Sequence, residues 1–288
     1  MTHVPTTLTD AAMWRPKVSV IVPAYNASET LAESINSLLH QTLKEIEIVI
    51  VNDGSTDRTA DLINGFADNH DNIIPVHLSE NLGVHEARLT GLKSSSAPWI
   101  GFLDADDYAR SSMFETLVET AERDNSDIVI CGSDRVTREH KVISSKICFS
   151  KYEVIDNNIF SRFCDFEFGT GPLWNKLFRR EVIEPWFDLH FPWRQSLNED
   201  LLLNIGCFFY AKRISLLKEV LHEYSFRGDS VTSSIDSERA YVETFRAFAL
   251  AIHFYKHLGE NALFEILKMY REQMGWGDYL INDVSRLT

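Results

Sequence analysis

Short runs of β-branched and aliphatic residues alternate with amphipathic stretches over the first 130 or so residues. Val18–Val22 is an apolar run of strand length that stops at Pro23. Glu29–His40 then carries Leu31, Ile35, Leu38 and Leu39 at helical spacing. Ile46–Val51 predicts a second strand, ending in Asn52-Asp53-Gly54-Ser55, and Asp57–Ala67 a helix with an acid in its first turn. Ile73–Leu78 predicts a third strand, and Asn81-Leu82-Gly83 leads into a helix through Leu92. Trp99–Leu103 is the fourth apolar run. A helix from Met113 to about Arg123 follows, with Ser112 and Glu115 spaced as a capping box, and then a fifth strand at Ile128–Cys131. Regular strand–helix alternation predicts a mostly parallel sheet with right-handed crossovers.

After Ser133 the alternation stops. Residues 134–198 are mixed, aromatic and loop-like, with Gly169-Thr170-Gly171-Pro172 as a turn signal. Asn198-Glu199-Asp200 opens an apolar helix over about Leu201–Ala211, and short strands are expected at Ile214–Leu217 and His222–Phe226. From about Ser237 to Leu287 the pattern predicts two or three helices. These lack clustered acids or histidines at ligand spacing, so no catalytic group is expected there. The divisions are then a tail (1–16), an α/β half (17–133), a second half (134–235) and a helical extension (236–288).

At 288 residues the chain is long enough for a full core, and its net charge of −14 argues against nucleic acid as a partner. An anionic substrate would need local help from a metal or a few placed cations. Cys131, Cys148, Cys164 and Cys207 form no CxxC pair or zinc spacing and read as reduced, mostly buried thiols. Met1–Trp14 has no apolar core, so it is not a signal peptide. Leu201–Tyr210 and Phe245–Tyr255 are too short to span a bilayer.

The stretch richest in chemistry is Phe102-Leu103-Asp104-Ala105-Asp106-Asp107, where a strand-length apolar run ends in three carboxylates. Carboxylates that close repel one another, and an adjacent buried strand adds desolvation. A divalent ion such as Mg²⁺ or Mn²⁺ relieves both and leaves positions open for phosphate. In an extended chain Asp104 and Asp106 would point the same way, toward one ion. At the other strand ends, Asp53 can accept from a base N–H and Tyr25 can stack on a base. Arg88 is a candidate for contact with a diphosphate or base. No G-x-G-x-x-G or Walker loop follows the first strand, so the phosphate grip falls to the metal. Glu199 and Asp200 sit at a helix start, amid Trp186, His190, Trp193 and Arg194, a mixture of ring faces and polar edges that suits a sugar.

Taken in chain order, these segments resemble a family 2 glycosyltransferase over about Lys17 to Thr232. The resemblance rests on Val18–Asn26, Val49–Asp57, Asn81–Leu92, Phe102–Tyr108, Pro172–Val182, Asn198–Asn204 and Tyr224–Thr232. It implies the GT-A fold: a mostly parallel nucleotide-binding sheet with helices on both faces, here followed by a C-terminal helical subdomain. It implies that Pro23, Ala24, Tyr25 and Asp53 hold the uracil of a UDP-sugar, with Asn81, Gly83 and Arg88 beside the nucleotide. Asp104 and Asp106 correspond to the DXD pair, Asp106 being the direct ligand of Mn²⁺ or Mg²⁺ and Asp104 and Ala105 lying against the nucleotide. Glu199-Asp200 matches the ED motif, with Asp200 as general base. Trp174 and Lys176 fall beside the donor sugar and acceptor, as Trp193 does by its composition. Arg227 corresponds to a basic position that reaches the diphosphate.

The implied partners are a UDP-sugar donor and a saccharide or lipid-linked saccharide acceptor. The implied place is the cytoplasm, with peripheral attachment at the inner face of the membrane left open. Two departures stand out. Leu89 replaces the Asn that often follows the AR pair, and the membrane helices many members carry are not visible, which fits a soluble member or an excised catalytic part. Three other readings compete. A nucleotidyltransferase would need a glycine-rich basic loop after the first strand, which Pro23–Leu31 is not. A polyprenyl-phosphate sugar synthase differs in its acceptor, and an inactive homologue is opposed by the intact Asp104, Asp106 and Asp200.

Overall fold

Seven consecutive buried residues, Val18–Ala24, form β1 at the centre of the sheet. Their side chains alternate between two cores: Ile21 packs with the cluster on one face, Val20 and Val22 with the cluster on the other. A strand buried on both faces has to be apolar throughout, which is why β1 and β2 (Ile46–Asn52) read as continuous Val/Ile runs. A computed structural model describes residues 14–169, 171–226 and 237–274. Arg227 lies outside the described residues, as does the predicted helical stretch beyond Met274.

The first half is parallel, as its pattern predicts. β2 and β4 (Trp99–Phe102) flank β1, and β3 (Ile73–His77) pairs with β2. Helices α1 (Leu31–Leu39), α2 (Thr59–Ala67) and α3 (Val84–Ser94) connect them. The second half is not a continuation of this scheme. β9 (Lys176–Arg179) inserts between β4 and β6 (Ile128–Val136), antiparallel to both. β10 runs unbroken from Ile214 to Ser225, parallel to β6, where two short strands were expected. Irregularities in its register between Leu216 and His222 interrupt the alternation, so the sequence there reads as a gap. β6 extends five residues past Cys131 and pairs with β7 (Val142–Ile147). A short β5 (Tyr108–Ala109) pairs with β10, and so does β8 (Glu153–Ile155). The sheet as a whole is therefore mixed.

Helix α4 (Met113–Asp124) begins at Ser112, but the expected capping box does not form. The Gln41 side chain accepts the Phe114 amide at 3.1 Å, and Glu115 instead accepts the Thr42 hydroxyl at 2.6 Å. A tertiary partner has taken the job of the local one. On the other face, α5 (Ile159–Cys164), α7 (Glu199–Tyr210), α8 (Ser237–Tyr255) and α9 (Glu260–Gln273) share one core with the sheet. A short helix α6 (Arg180–Ile183) leads into a 3₁₀ turn that seats Trp186 against α7. Leu89, the departure noted on α3, is buried in this core and acts in packing. The helices after residue 236 are thus built into the main body. Ala247, Leu250, Ala251, Tyr255, Ile266, Met269 and Tyr270 join the cluster that holds α7.

The contact between Trp186 and α7 is close enough to test. A Cβ added at Gly206 would come within 2.2 Å of the Trp186 ring. Gly206→Ala should destabilise the fold by about 1–3 kcal/mol through overpacking. A lower urea midpoint at unchanged slope is the expected result, and an unchanged midpoint would show that the ring moves aside freely.

Candidate active site

The carboxyl ends of β1, β2 and β4 carry the residues that the strand pattern singles out. Pro23 and Ala24 are buried at the end of β1, and Tyr25, next along, is 47% exposed with its ring free to meet a flat ligand. Asp53 is buried and already engaged. Its two oxygens accept the amides of Leu82 (2.8 Å) and Gly83 (2.9 Å), which anchors the loop before α3. Burial raises its pKa while those two amides oppose the rise. Each oxygen keeps a lone pair for a base N–H. Gly54 has φ +63°, and a Cβ there would meet the Glu80 and Asn81 backbone at 2.3–2.7 Å, so only glycine lets this turn sit against the loop. Asn81 carries a buried side-chain oxygen with no hydrogen-bond partner among the described residues, an acceptor available to a ligand.

Between β4 and β5 the chain reverses. The Asp107 amide donates to the Asp104 carbonyl at 3.1 Å, which closes a four-residue turn over Asp104-Ala105-Asp106-Asp107. The expected extended geometry, with Asp104 and Asp106 on one side, is therefore wrong. The chain must leave β4, paired with β1 and β9, and enter β5, paired with β10, and a straight segment cannot do both. Asp104 and Asp106 remain partly exposed, Ala105 is buried, and Asp107 turns inward. There it accepts the Ser225 amide at 2.9 Å and faces His222 Nε2 at 3.4 Å. Burial pushes the His222 imidazole down to about 3.

Arg88 ties two parts of the site together. Its guanidinium donates to Asp104 at 3.1 Å and to Glu199 at 3.0 Å. The side chain is 6% exposed, so it is a buried bridge between the end of β4 and the start of α7 and presents no open surface to a diphosphate. Glu199 and Asp200 stand in the first turn of α7. The positive end of a helix dipole favours an ionised carboxylate in such a turn. In the fold, burial raises both carboxyls, with the Asp200 charge adding to the rise at Glu199. Arg88 and Lys176 oppose the rise at Asp200, and Asp104 adds to it. Asp200 accepts the Leu201 amide at 2.9 Å, and no ion pair ties up its carboxylate among the described residues.

Trp174 and Lys176 lie close by but are not open to a sugar. Trp174 is 5% exposed and stacks on His222 with centroids 4.1 Å apart. Lys176 is fully buried, donating to Asn175 Oδ1 at 3.0 Å and to the Pro172 carbonyl, and burial lowers its pKa to about 8. Its charge faces Asp200. Trp193 is 37% exposed and lies under the Arg246 guanidinium, 5.3 Å from its centroid. It lines a cleft of about 370 Å³ with Leu82, Gly83, His85, Arg194 and Gln195.

Sequence reasoning passed over Lys146. Its ammonium lies 3.9 Å from the Tyr224 ring centroid and 5.8 Å from that of Trp174. The charges of Asp107, Asp200 and Asp104 all act on it. It sits in a strand of exposed residues, Val142–Ile147, and no local pattern marks it. Arg194 was named only for its setting, yet its side chain packs on Gly83 and its charge acts on Asp53.

Among the described residues no group of three or more His, Cys, Asp or Glu side chains is arranged to hold a metal. Asp104 and Asp106 nevertheless offer an all-oxygen donor set, which suits a hard divalent ion that fills its other positions with water and phosphate. No helix among the described residues is long and apolar enough to cross a membrane.

A twisted sheet with acids at its strand ends, facing two more at a helix start, defines a GT-A-type glycosyltransferase. Residues 19–187 match the profile of Glycosyl transferase family 2. The chain is 34% identical over 261 residues to the uncharacterized glycosyltransferase EpsJ of Bacillus subtilis, a match spanning 88% of this chain and 74% of EpsJ. It is 31% identical to the putative glycosyltransferase EpsH of the same organism, over 82% of this chain and 70% of EpsH. Among solved structures it resembles S. aureus TarS 1-349 in complex with UDP-GlcNAc, with a TM-score of 0.68 and 25% identity over 89% of this chain and 73% of that one. The chain belongs to glycosyltransferase family 2.

Arg88→Met would leave Asp104 and Glu199 facing each other without their shared cation. Breaking a buried pair by removing one partner costs about 3 kcal/mol or more. Denaturant titration should show that loss, with Arg88→Lys intermediate because an ammonium cannot reproduce the two-pronged contact. A variant as stable as the wild type would mean that the bridge carries no structural weight.

Proposed function

We propose that the protein moves a sugar from a UDP-sugar to an acceptor hydroxyl with inversion at the anomeric carbon, in polysaccharide or glycoconjugate synthesis. The observation that carries the reading is the Arg88 bridge, which sets the acids at the end of β4 against the acids at the start of α7. The likeness to TarS in complex with UDP-GlcNAc supports the donor class. Tyr25 is set to stack on the base, and Asp53 and the unpartnered Asn81 oxygen to accept from it. Asp104 and Asp106 would hold Mn²⁺ or Mg²⁺, which when bound neutralises the charge of the departing diphosphate. Lys146 and Arg194 add positive charge on either side. That matters in a chain whose net charge is −14.

Asp200 is the general base in this reading. Glu199 is committed to Arg88, whereas Asp200 has no ion-pair partner among the described residues. An acceptor hydroxyl attacks the anomeric carbon, the bond to UDP breaks, and Asp200 takes the hydroxyl proton. Its raised proton affinity makes it a better acceptor than an ordinary carboxylate. Positioning of donor and acceptor supplies much of the remainder.

A panel of nucleotide sugars with Mn²⁺, read as nucleoside diphosphate release, tests the donor. Asp200→Asn should cut turnover by roughly 10²–10⁴-fold with UDP affinity nearly unchanged. Glu199→Gln should act mainly on stability. If Glu199→Gln is dead and Asp200→Asn retains transfer, the base is Glu199. With Asp200 ionised as the working form, kcat should fall as pH drops through its raised pKa. A profile flat down to pH 4 would remove it from the role.

Calorimetry separates the metal question. Asp106→Ala should abolish divalent-dependent UDP binding while the melting temperature stays close to that of the wild type. Equally tight UDP binding in EDTA would exclude a metal-mediated grip.

A further inference from the structure

The segment before α7 is held from outside the nucleotide-binding half. Gln195 donates through its amide to the Glu243 carbonyl at 2.7 Å, and the Ser196 amide donates to the Glu243 carboxylate at 3.1 Å. Glu243 belongs to α8 and is buried, a costly place for an acid unless it is well bonded. Asn198 follows, with φ +62°, in the left-handed region. It is the residue from which α7 starts, one position before Glu199 and two before Asp200. Its carbonyl accepts the Leu202 amide at 3.2 Å, the first turn of the helix.

Both ends of the Asn198 side-chain amide are held by the C-terminal helices. Its NH₂ donates to Thr244 Oγ1 of α8 at 3.3 Å, and its oxygen accepts from the Gln273 amide of α9 at 3.2 Å. Thr244 is in turn fixed by donating to the Ala240 carbonyl at 2.9 Å. Farther along α7, the Tyr255 hydroxyl donates to the Leu202 carbonyl at 2.6 Å. Tyr270, one helical turn before Gln273 on the same side of α9, is fully buried, and the Asp200 charge acts on its hydroxyl. α8 and α9 therefore bracket the first turn of α7.

We propose that Asn198, Thr244 and Gln273 are positioning residues for the transfer reaction, with α8 and α9 setting where the Asp200 carboxylate stands. The left-handed residue is a hinge in the backbone. An unheld Asn there could relax toward the ordinary helical region and swing the first turn of α7 with it. Clamping its side chain from two helices removes that freedom without touching the nucleotide end of the sheet. The helical extension then acts on catalysis while contributing no reacting group. This inference rests on the reading of Asp200 as base.

The test uses the full chain, with Thr244→Val and Gln273→Met combined, Asn198→Gly alone, and Thr244→Ser as the conservative control. Using UDP-N-acetylglucosamine hydrolysis or transfer as probe, the double variant should lose about tenfold in kcat, keep its donor KM within about twofold, and show a shifted acidic limb of the kcat–pH profile. Asn198→Gly keeps the backbone angle and should show the same kcat loss. Thr244→Ser keeps the hydroxyl and should restore wild-type turnover. Unchanged kcat in the double variant overturns the proposal. So does a loss that Thr244→Ser shares in full, or one that merely follows the melting temperature.

Hydrogen exchange reads the clamp without any activity. Faster exchange at the Leu202 and Leu203 amides in the double variant supports it even if the wild type transfers no sugar, in which case only the functional reading has failed. Unaltered exchange at these amides overturns the clamp itself.

Discussion

One guanidinium decides the arrangement of this site. Arg88 is buried, cannot lose its proton, and reaches two carboxylates that arise far apart in the chain, one on the turn after β4 and one on α7. Removing three charged groups from water is expensive, and the attraction between them repays that cost only with good geometry. The geometry is supplied from below. α3 starts directly after Gly83, Gly83 is held by Asp53, and Asp53 directly follows β2. A line of contacts thus runs from the strand ends through one helix to both sets of acids. A shift at any link misplaces both the nucleotide side and the base side.

The parallel half was legible because its strands are buried on both faces and must be apolar throughout. A run such as Val18–Ala24 has no other reading. The second half hid its strands for physical reasons. β9 is four residues long and draws its order from neighbours on both sides, so Lys176-Leu177-Phe178-Arg179 carries no period of its own. β7 lies mostly exposed, and β10 passes through register irregularities. β9 and β10 are paired by contacts that reach from about 46 to about 90 residues along the chain, which no local window can register.

The acids and the tyrosine of the site were legible as residue types at strand and helix ends. Their local geometry was not. Asp104 and Asp106 were read on an extended chain, yet the need to pass from one ladder to another folds them into a turn. Asp53 looked like a base reader and proves also to be a loop anchor. Lys176 and Trp174 stand in the right place in the sequence, but burial turns them toward the interior. There Lys176 acts on Asp200 as a charge and Trp174 serves as a platform for His222. Lys146 could be found only once β7 and β10 were both paired with β6, because the two pairings together bring its ammonium over Tyr224.

Basicity at Asp200 connects these observations. A helix N-terminus should hold a carboxylate acidic, and an arginine and a lysine nearby should do so further. Burial is the largest influence on Asp200, and with the nearby Asp104 charge it raises the proton affinity against Arg88 and Lys176. The strand ends stay partly open at Tyr25, Asp104 and Asp106, whereas Arg88 and Lys176, whose charges act on Asp200, are buried. Behind α7 lies the core it shares with α8 and α9, where Leu250, Ala251, Tyr255, Met269 and Tyr270 are fully buried. Tyr270 of that core lies where the Asp200 charge acts on its hydroxyl, so α9 reaches the first turn of α7. If Asp200 is the base proposed above, a helical extension with no reacting group of its own sets the position of the residue that takes the proton.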